Sequence, residues 1–174
     1  CTLIDAVGID IIHRVSKILY GAFGERMKPP PFLASLVAEG RLGQKTGKGF
    51  YIYEDGGKKK IEDPLIASKS AQKKRDSVLT DEVVQKRLAY LMVNEGTRCM
   101  EEGLVRDVSE IDIGMIFGTG FAPFRGGVLR YADSVGAESI VADLELFSRN
   151  YGQRFEPCSF LQQLAVGKKK FYKD

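Results

Sequence analysis

The chain repeats itself, and this repeat limits the folds open to it more than any other feature. Asp5-Ala6-Val7-Gly8 reappears as Asp133-Ser134-Val135-Gly136, an offset of 128 residues. The same offset relates three further pairs: Gly24–Met27 and Gly152–Phe155, Phe32-Leu33 and Phe160-Leu161, and Leu36 and Leu164. With one slip, Gly47-Lys48-Gly49-Phe50-Tyr51 corresponds to Gly167-Lys168 and Phe171-Tyr172. Several ordered matches at one offset indicate a duplicated module.

Each copy has the apolar spacing of amphipathic helices. After Gly8, apolar residues recur at steps of three and four as far as Phe23, and Ile140 to Phe147 repeat this spacing after Gly136. Both stretches end near a glycine, which is a common helix stop, and the prolines 29–31 then allow a new helix to begin. Strand signals are weak and confined to residues 50–53.

The segment upstream of the second copy also reads as helical. Thr80 is expected to cap a long helix that ends at Gly103, and Ser109 opens a shorter one. Between the copies, residues 54–79 carry Lys58–Lys60 and Lys73–Arg75 and read as a charged connector. The sequence thus predicts an all-α chain of two tandem modules, with residues 1–53 as the C-terminal part of the first, 54–79 as linker and 80–174 as the second.

Composition excludes several classes of protein. Apolar residues make up 44% of the chain and charged residues 28%, as in ordinary globular domains. A net charge of +3 is too small to indicate a nucleic-acid binder, and the lysine runs accompany no recognition motif. Three cysteines at wide spacings suggest free thiols in a reducing compartment, and their spacing suits no metal site.

The glycine-rich segment Gly40–Gly49 is the only candidate ligand site in the sequence. It does not match a phosphate-binding P-loop, because Gly43 and Gly47 enclose only three residues and Gly49 follows Lys48. The segment therefore reads first as a glycine-rich turn. Its basic residues Arg41, Lys45 and Lys48 remain weak candidates for contacts with the phosphates of an anionic substrate.

Other motifs do not assemble into a catalytic or cofactor site. Gly118-x-Gly120-x-x-Pro123 half matches a dinucleotide fingerprint, but a helical segment precedes it and proline takes the third position. The single histidine, His13, lies between apolar residues of a helix and reads as structural. We therefore expect no catalytic, cofactor-binding or metal-binding residue in this chain.

Several strings resemble the C-terminal domain of 3-hydroxyacyl-CoA dehydrogenases, in the tandem form found in multifunctional fatty-acid β-oxidation proteins. The segment Gly40–Tyr51 resembles the signature that closes this domain, and Asp5–Asp10 resembles a helix start within it. The second copy is represented by these strings: Glu101–Gly103, Ile111–Gly114, Phe117–Pro123 and Asp133–Gly136. The resemblance implies a helical fold of the type seen in the C-terminal domain of 6-phosphogluconate dehydrogenase.

The resemblance also implies a role. In the parent protein an upstream domain would bind NAD and carry the catalytic His–Glu pair, and a further domain would hydrate enoyl-CoA. The present chain would form part of the fatty acyl-CoA cleft, bind no cofactor itself and be inactive in isolation. The family's substrate-contacting Asn belongs to the missing start of the first module. Lys86 takes the related position in the second copy, so no catalytic role is assigned to it.

Origin and partners follow from the same resemblance. The chain has neither an initiator Met nor a signal peptide, and we expect it to be part of a longer protein whose first module has lost its front. Its C-terminal residues, 157–172, are most similar to mitochondrial members of the family, which implies the mitochondrial matrix and leaves inner-membrane association open. Expected partners are the upstream NAD-binding domain, a thiolase β subunit and a second copy of the chain. The alternative is a non-catalytic scaffold module that holds subunits together.

Overall fold

The computed structural model describes residues 1–71 and 80–172 of the chain. They fall into two compact units, Cys1–Val78 and Leu79–Asp174. Within the described residues both units are helical except for one small two-stranded sheet in the first, so the all-α expectation is confirmed. In those same residues, none of the helices has the length and apolar character that crossing a membrane requires.

The first unit has three helices followed by a hairpin and a fourth helix: α1 (Thr2–Val7), α2 (Ile9–Phe23), α3 (Pro31–Ala38), β1 (Tyr51–Glu54), β2 (Lys59–Glu62) and α4 (Pro64–Ala71). Gly8 separates α1 from α2 with φ 108°, which an L side chain rarely adopts, and α3 begins at a proline as expected. The buried core of this unit is small and consists of Ile9, Leu33 and Leu36.

The structure differs from the predicted connector at residues 54–71. β1 pairs antiparallel with β2, from Tyr51 opposite Glu62 to Glu54 opposite Lys59, and α4 follows directly. The lysines on this hairpin are exposed. Exposed strands of small sheets are often rich in lysine, so the charged composition that predicted a linker is equally compatible with a strand at the surface. The predicted basic run Lys73–Arg75 lies outside the described residues, and the boundaries of the two modules stay a prediction.

The second unit is a five-helix bundle around α5: α5 (Asp81–Glu101), α6 (Val108–Thr119), α7 (Val128–Val135), α8 (Ala137–Tyr151) and α9 (Ser159–Val166). The Thr80 side chain accepts a hydrogen bond from the Val83 amide and caps α5, as predicted. The Asp107 side chain caps α6 by accepting a hydrogen bond from the Ser109 amide. The helix begins at Val108, one residue before the predicted start at Ser109. Twelve buried residues from α5 to α9 form one continuous core, each fully buried apolar side chain contributing about 2 kcal/mol.

The repeat is present in the helix bounds themselves. At the offset of 128, the 15 residues of α2 match the 15 of α8, and the eight of α3 match the eight of α9. The helices α2 and α8 both follow a glycine of similar conformation, with φ 108° at Gly8 and 95° at Gly136. The duplication is therefore structural; the packing of both copies into one pseudo-symmetric body stays a prediction.

One detail of the repeat differs from the sequence alignment. Lys168 matches Gly40 and not Lys48, because both residues are left-handed (φ 49° and 69°) and end equivalent helices. The next amides, Lys169 and Arg41, donate to Leu164 and Leu36 at the same 2.9 Å. The second copy therefore lacks the glycine-rich turn that separates Arg41 from Phe50, and its Phe171-Tyr172 follows almost at once.

Candidate functional site

Arg41, the first predicted ligand of an anion, points into the first unit. It is 7% exposed, and its guanidinium donates to the Gly49 carbonyl through Nε (3.1 Å) and Nη2 (2.7 Å) and to the Asp63 carboxylate. Burial alone would raise the pKa of Asp63, but hydrogen bonds from the Leu65 amide and Arg41 outweigh it and hold that pKa below its ordinary value. Arg41 therefore joins the glycine-rich turn to the start of α4.

Lys45 and Lys48 lie at the surface of the same turn. The Lys45 ammonium is 2.5 Å from an Asp10 carboxylate oxygen at the start of α2, and this hydrogen bond lowers the pKa of Asp10. Lys48 has an exposed side chain, while its carbonyl accepts from the Gly43 amide at 2.8 Å. The structure thus brings two of the three predicted residues to solvent and turns the third inward.

Asp5 organises the same turn from inside and was not predicted as a site residue. It is 1% exposed, and its carboxylate accepts from the Phe50 amide (2.9 Å), the Tyr51 amide (3.0 Å) and the Tyr53 hydroxyl (2.9 Å). Burial and this carboxylate raise the pKa of Tyr53 to about 12, so the phenol remains a donor at neutral pH. Asp5 and the Phe50-Tyr51 pair, which both recur in the second copy, are therefore hydrogen-bonded to each other.

Two glycines of the turn are explained by their close approach to Asp5. A Cβ at Gly49 would overlap the Asp5 carboxylate, and a Cβ at Gly43, where φ is 101°, would overlap the Asp5 backbone. The glycine spacing that resembled a phosphate loop instead allows the turn to close around a buried aspartate of its own chain.

The hydrogen bonds from the Phe50 and Tyr51 amides to the Asp5 carboxylate form what we call the Asp5 clamp. The second copy has an equivalent clamp in which one partner differs. The Asp133 carboxylate accepts from the Phe171 amide (2.7 Å) and the Tyr172 amide (3.0 Å), as Asp5 does for Phe50 and Tyr51. The Tyr172 hydroxyl donates instead to Asp112 (2.7 Å), a buried carboxylate that also accepts from the Leu129 amide at the start of α7. Both clamps fix the end of a module to its D-x-V-G segment, which is a structural role.

The residues that could carry chemistry are dispersed or already paired. His13 is partly buried on α2, and its Nδ1 has no hydrogen-bond partner within the described part of the chain. Burial raises the pKa of the Cys158 thiol, which disfavours the reactive thiolate. Lys86, to which the sequence analysis assigned no catalytic role, is held by Glu82 (3.3 Å) and Asp143 (3.2 Å). In residues 1–71 and 80–172, no group of three His, Cys, Asp or Glu side chains could hold a metal.

The described residues do not fit NAD. The glycines Gly118 and Gly120 follow helix α6, whereas a dinucleotide fingerprint needs a preceding strand of a parallel sheet. The one sheet in the described part of the chain is an antiparallel hairpin. If the parent protein uses NAD, another domain must hold it, and no reaction step is assigned to the residues of this chain.

The second unit contains an apolar groove of about 410 Å³ between α5 and α6. Its walls include Leu91, Met92, Ile111 and Met115, and Gly96 lets Ile111 approach α5 closely. The polar side chains that reach it are two carboxylates, Glu95 and Glu110. An apolar groove without a convergent set of acid, base or nucleophile suits packing or an apolar ligand and not catalysis.

Comparison with known proteins identifies the first unit. A family model for the C-terminal domain of 3-hydroxyacyl-CoA dehydrogenase matches residues 1–53, which hold the Asp5 clamp and the glycine-rich turn. Residues 1–53 are therefore similar to the C-terminal domain of this family. The helical fold of the described residues agrees with this similarity.

Similarity to known proteins extends over nearly the whole chain. The alpha subunit of a fatty acid oxidation complex from Shewanella frigidimarina is 41% identical over 99% of this chain. A crystal structure of 3-hydroxybutyryl-CoA dehydrogenase from Escherichia coli K12 matches 95% of this chain and 50% of its own with a TM-score of 0.70, at 21% identity. The dehydrogenase part of multifunctional enzyme 1 from C. elegans matches 93% of this chain and 37% of its own, with a TM-score of 0.66 and 30% identity.

The curated relatives also correct one expectation. The mitochondrial location inferred from the C-terminal residues is wrong, because these fatty acid oxidation complex subunits come from Shewanella and Vibrio, which are bacteria. These relatives point to a cytoplasmic rather than a mitochondrial location. The chain spans about a quarter (24%) of the length of these relatives, which are multidomain proteins.

Proposed function

We propose that this chain is the helical C-terminal part of a multifunctional fatty-acid β-oxidation protein and forms one wall of its acyl-CoA cleft. In the whole protein an NAD-dependent dehydrogenase would oxidise L-3-hydroxyacyl-CoA, and a hydratase domain would supply that substrate from enoyl-CoA. Hydride transfer needs the thioester and the cofactor in a fixed geometry with water excluded, and a helical domain against a dinucleotide domain can provide such a cleft.

One observation carries this proposal. The family match at residues 1–53 covers the segment in which Asp5, Gly43 and Gly49 form a closed, hydrogen-bonded turn. The matched range therefore includes residues that contact each other directly in the structure. The catalytic pair and NAD are assigned to an upstream domain, and the present chain is expected to supply none of the reacting groups.

The test compares the full-length protein with a version that lacks residues 1–174. Deletion should abolish NADH formation from a 3-hydroxyacyl-CoA while it leaves hydration of enoyl-CoA measurable. The isolated chain should show no turnover with either substrate. NADH formation by the isolated chain, or full dehydrogenase activity after the deletion, would refute the proposal.

Contacts with the anionic CoA moiety are a second part of the proposal. Lys45 and Lys48 are exposed on one turn and could meet phosphates, whereas the inward position of Arg41 does not favour such a contact. Lys48→Gln in the full-length protein should raise KM for the acyl-CoA about threefold at unchanged kcat, the usual size of an exposed ionic contact. Lys58→Gln, an exposed lysine of the hairpin turn, is the control. Equal KM values in both variants would remove Lys48 from the site.

Subunit packing is a second candidate function, and the exposed aromatic residues of the second unit favour it. Phe117 is 86% exposed and Phe124 85% exposed, which is unusual for large apolar side chains unless another surface covers them. The covering surface could belong to a thiolase β subunit or to a second copy of the chain. Sedimentation of the complete complex with Phe117→Ser and Phe124→Ser should show loss of a subunit. Unchanged assembly would refute this candidate.

A further inference from the structure

The turn between α6 and α7 holds an aromatic ring in solvent on a fixed backbone. The ring is that of Phe124, which is 85% exposed. Pro123 begins this turn, and Gly126 ends it in the left-handed region with φ 77°. A Cβ at Gly127, where φ is 113°, would overlap the buried Asp112 side chain. The backbone next to Phe124 therefore fits closely against the interior, while the ring itself is left to solvent.

Asp112 holds this turn in place from inside. Its carboxylate accepts hydrogen bonds from the Leu129 amide (2.6 Å), the Arg130 amide (3.1 Å) and the Tyr172 hydroxyl (2.7 Å). These bonds tie the start of α7 and residue 172 to α6. A side chain on a preorganised backbone loses less conformational entropy when it binds a partner. Phe124 is thus a preorganised contact.

Two exposed arginines lie next to this turn, and each stacks on an aromatic ring. The Arg125 guanidinium lies 5.6 Å from the centroid of the Phe124 ring. The Arg130 guanidinium lies 3.7 Å from the centroid of the Tyr172 ring, and the Arg130 side chain passes close to Gly126, where an added Cβ would lie 3.3 Å from its Cβ and Cγ. Within the part of the chain that the structure describes, neither guanidinium donates a hydrogen bond or forms an ion pair.

This combination of side chains is typical of a protein interface that has acidic residues on the opposite side. Aromatic residues and arginine supply much of the binding free energy at such interfaces. A guanidinium that already lies on a ring can pair with a carboxylate through two parallel hydrogen bonds with little reorientation. Two cations and one ring are too few for stable anchoring to a membrane. A second copy of a chain with a net charge of +3 also matches two exposed arginines less well than an acidic surface does.

We propose that Phe124, Arg125 and Arg130, here called the Phe124 surface, bind a partner subunit that offers an apolar pocket for the ring and Asp or Glu carboxylates for the two arginines. This inference names the chemistry of the partner and rests on the subunit packing proposed above. It does not depend on the dehydrogenase activity.

Salt-dependent dissociation of the complete complex tests the charge of the partner. Sedimentation of the complex, formed with the full-length protein, gives the dissociation constant of the partner subunit at low and high NaCl concentration. Arg125→Gln combined with Arg130→Gln should raise this constant at least about tenfold at low salt, because the carboxylates of the partner then lose their cations. The double variant should also lose most of the salt dependence. Arg14→Gln combined with Lys17→Gln, at exposed positions of α2, removes the same charge and should change neither quantity.

Phe124→Ser separates this inference from the subunit packing on which it rests. If Phe124→Ser releases the subunit while the double arginine variant binds it as tightly as the unaltered protein, packing stands and the acidic partner is wrong. If no variant changes assembly, both are refuted. Equal weakening by the α2 variant would show a general effect of net charge and would overturn the inference. So would an arginine variant that keeps its partner subunit but loses self-association or loses binding to vesicles of anionic phospholipid, because the occupant would then be a second copy or a membrane.

Discussion

Replacing Asp5 with alanine removes a buried acceptor from the centre of the first unit. Three donors lose their partner at once: the Phe50 amide, the Tyr51 amide and the Tyr53 hydroxyl, each 2.9–3.0 Å from the carboxylate. A hydrogen bond to a charged group contributes about 1.5–3 kcal/mol, and water entering the vacated space recovers part of that, so we expect a loss of about 3 kcal/mol. The first unit, at about 0.05–0.15 kcal/mol per residue, has roughly 4–12 kcal/mol to lose, and its small core favours the lower end.

Urea unfolding followed by hydrogen exchange of residues 50–53 measures this loss separately from the second unit. Asp133→Ala is the matched variant in the second copy; this half-buried carboxylate accepts two amides, so about 1–2 kcal/mol is expected. Glu62→Ala, at an exposed position, should cost about 0.5 kcal/mol or less. If Asp5→Ala costs no more than Glu62→Ala, the carboxylate does not hold the turn and the reasoning fails.

Four further substitutions are tested by urea titration. Lys168→Gly should stabilise the second unit by about 1 kcal/mol, because Lys168 adopts a left-handed conformation that glycine adopts without strain. Gly40→Ala should destabilise the first unit by a similar amount for the same reason. Effects of the same sign in the two variants would contradict this explanation. The pKa of Asp63 is lowered in the folded state. Its contribution to the free energy of unfolding is therefore fully present above the unfolded pKa near 4 and is lost as the pH falls through the folded pKa. Asp63→Asn should reduce the pH dependence of the free energy of unfolding below pH 4 and cost about 3 kcal/mol at neutral pH, because Arg41 then stays buried without its carboxylate partner. If the pH dependence is unchanged in this variant, it does not arise from Asp63. Asn94→Ala should cost about 2 kcal/mol, because this fully buried amide bonds the Glu156 carbonyl and the Cys158 amide, and a loss below about 0.5 kcal/mol would show that water replaces it.

The amino-acid sequence alone determined the four longest helices, α2, α5, α6 and α8, and the duplication. Apolar spacing and the flanking glycines place α2 and α8 between Gly8 and Gly24 and between Gly136 and Gly152, and the structure has these helices there. These features are local, because a helix is specified by side chains three and four positions apart and by the residues at its ends. The repeat could be read for the same reason, since each copy carries the same local pattern.

Only the tertiary structure decided what the polar residues do. Asp5 meets Phe50 and Tyr51 across 45 and 46 residues, and Arg41 meets Asp63 across 22, so neither pair has a signature in local spacing. Sequence charge suggested that Arg41 was a ligand for an anion and that residues 54–79 were a charged linker, whereas the described residues 54–71 include strand β2 and helix α4. Whether a charged side chain faces water or a buried partner depends on how distant segments pack, because desolvation is tolerated only where that packing supplies the opposite charge or a hydrogen bond.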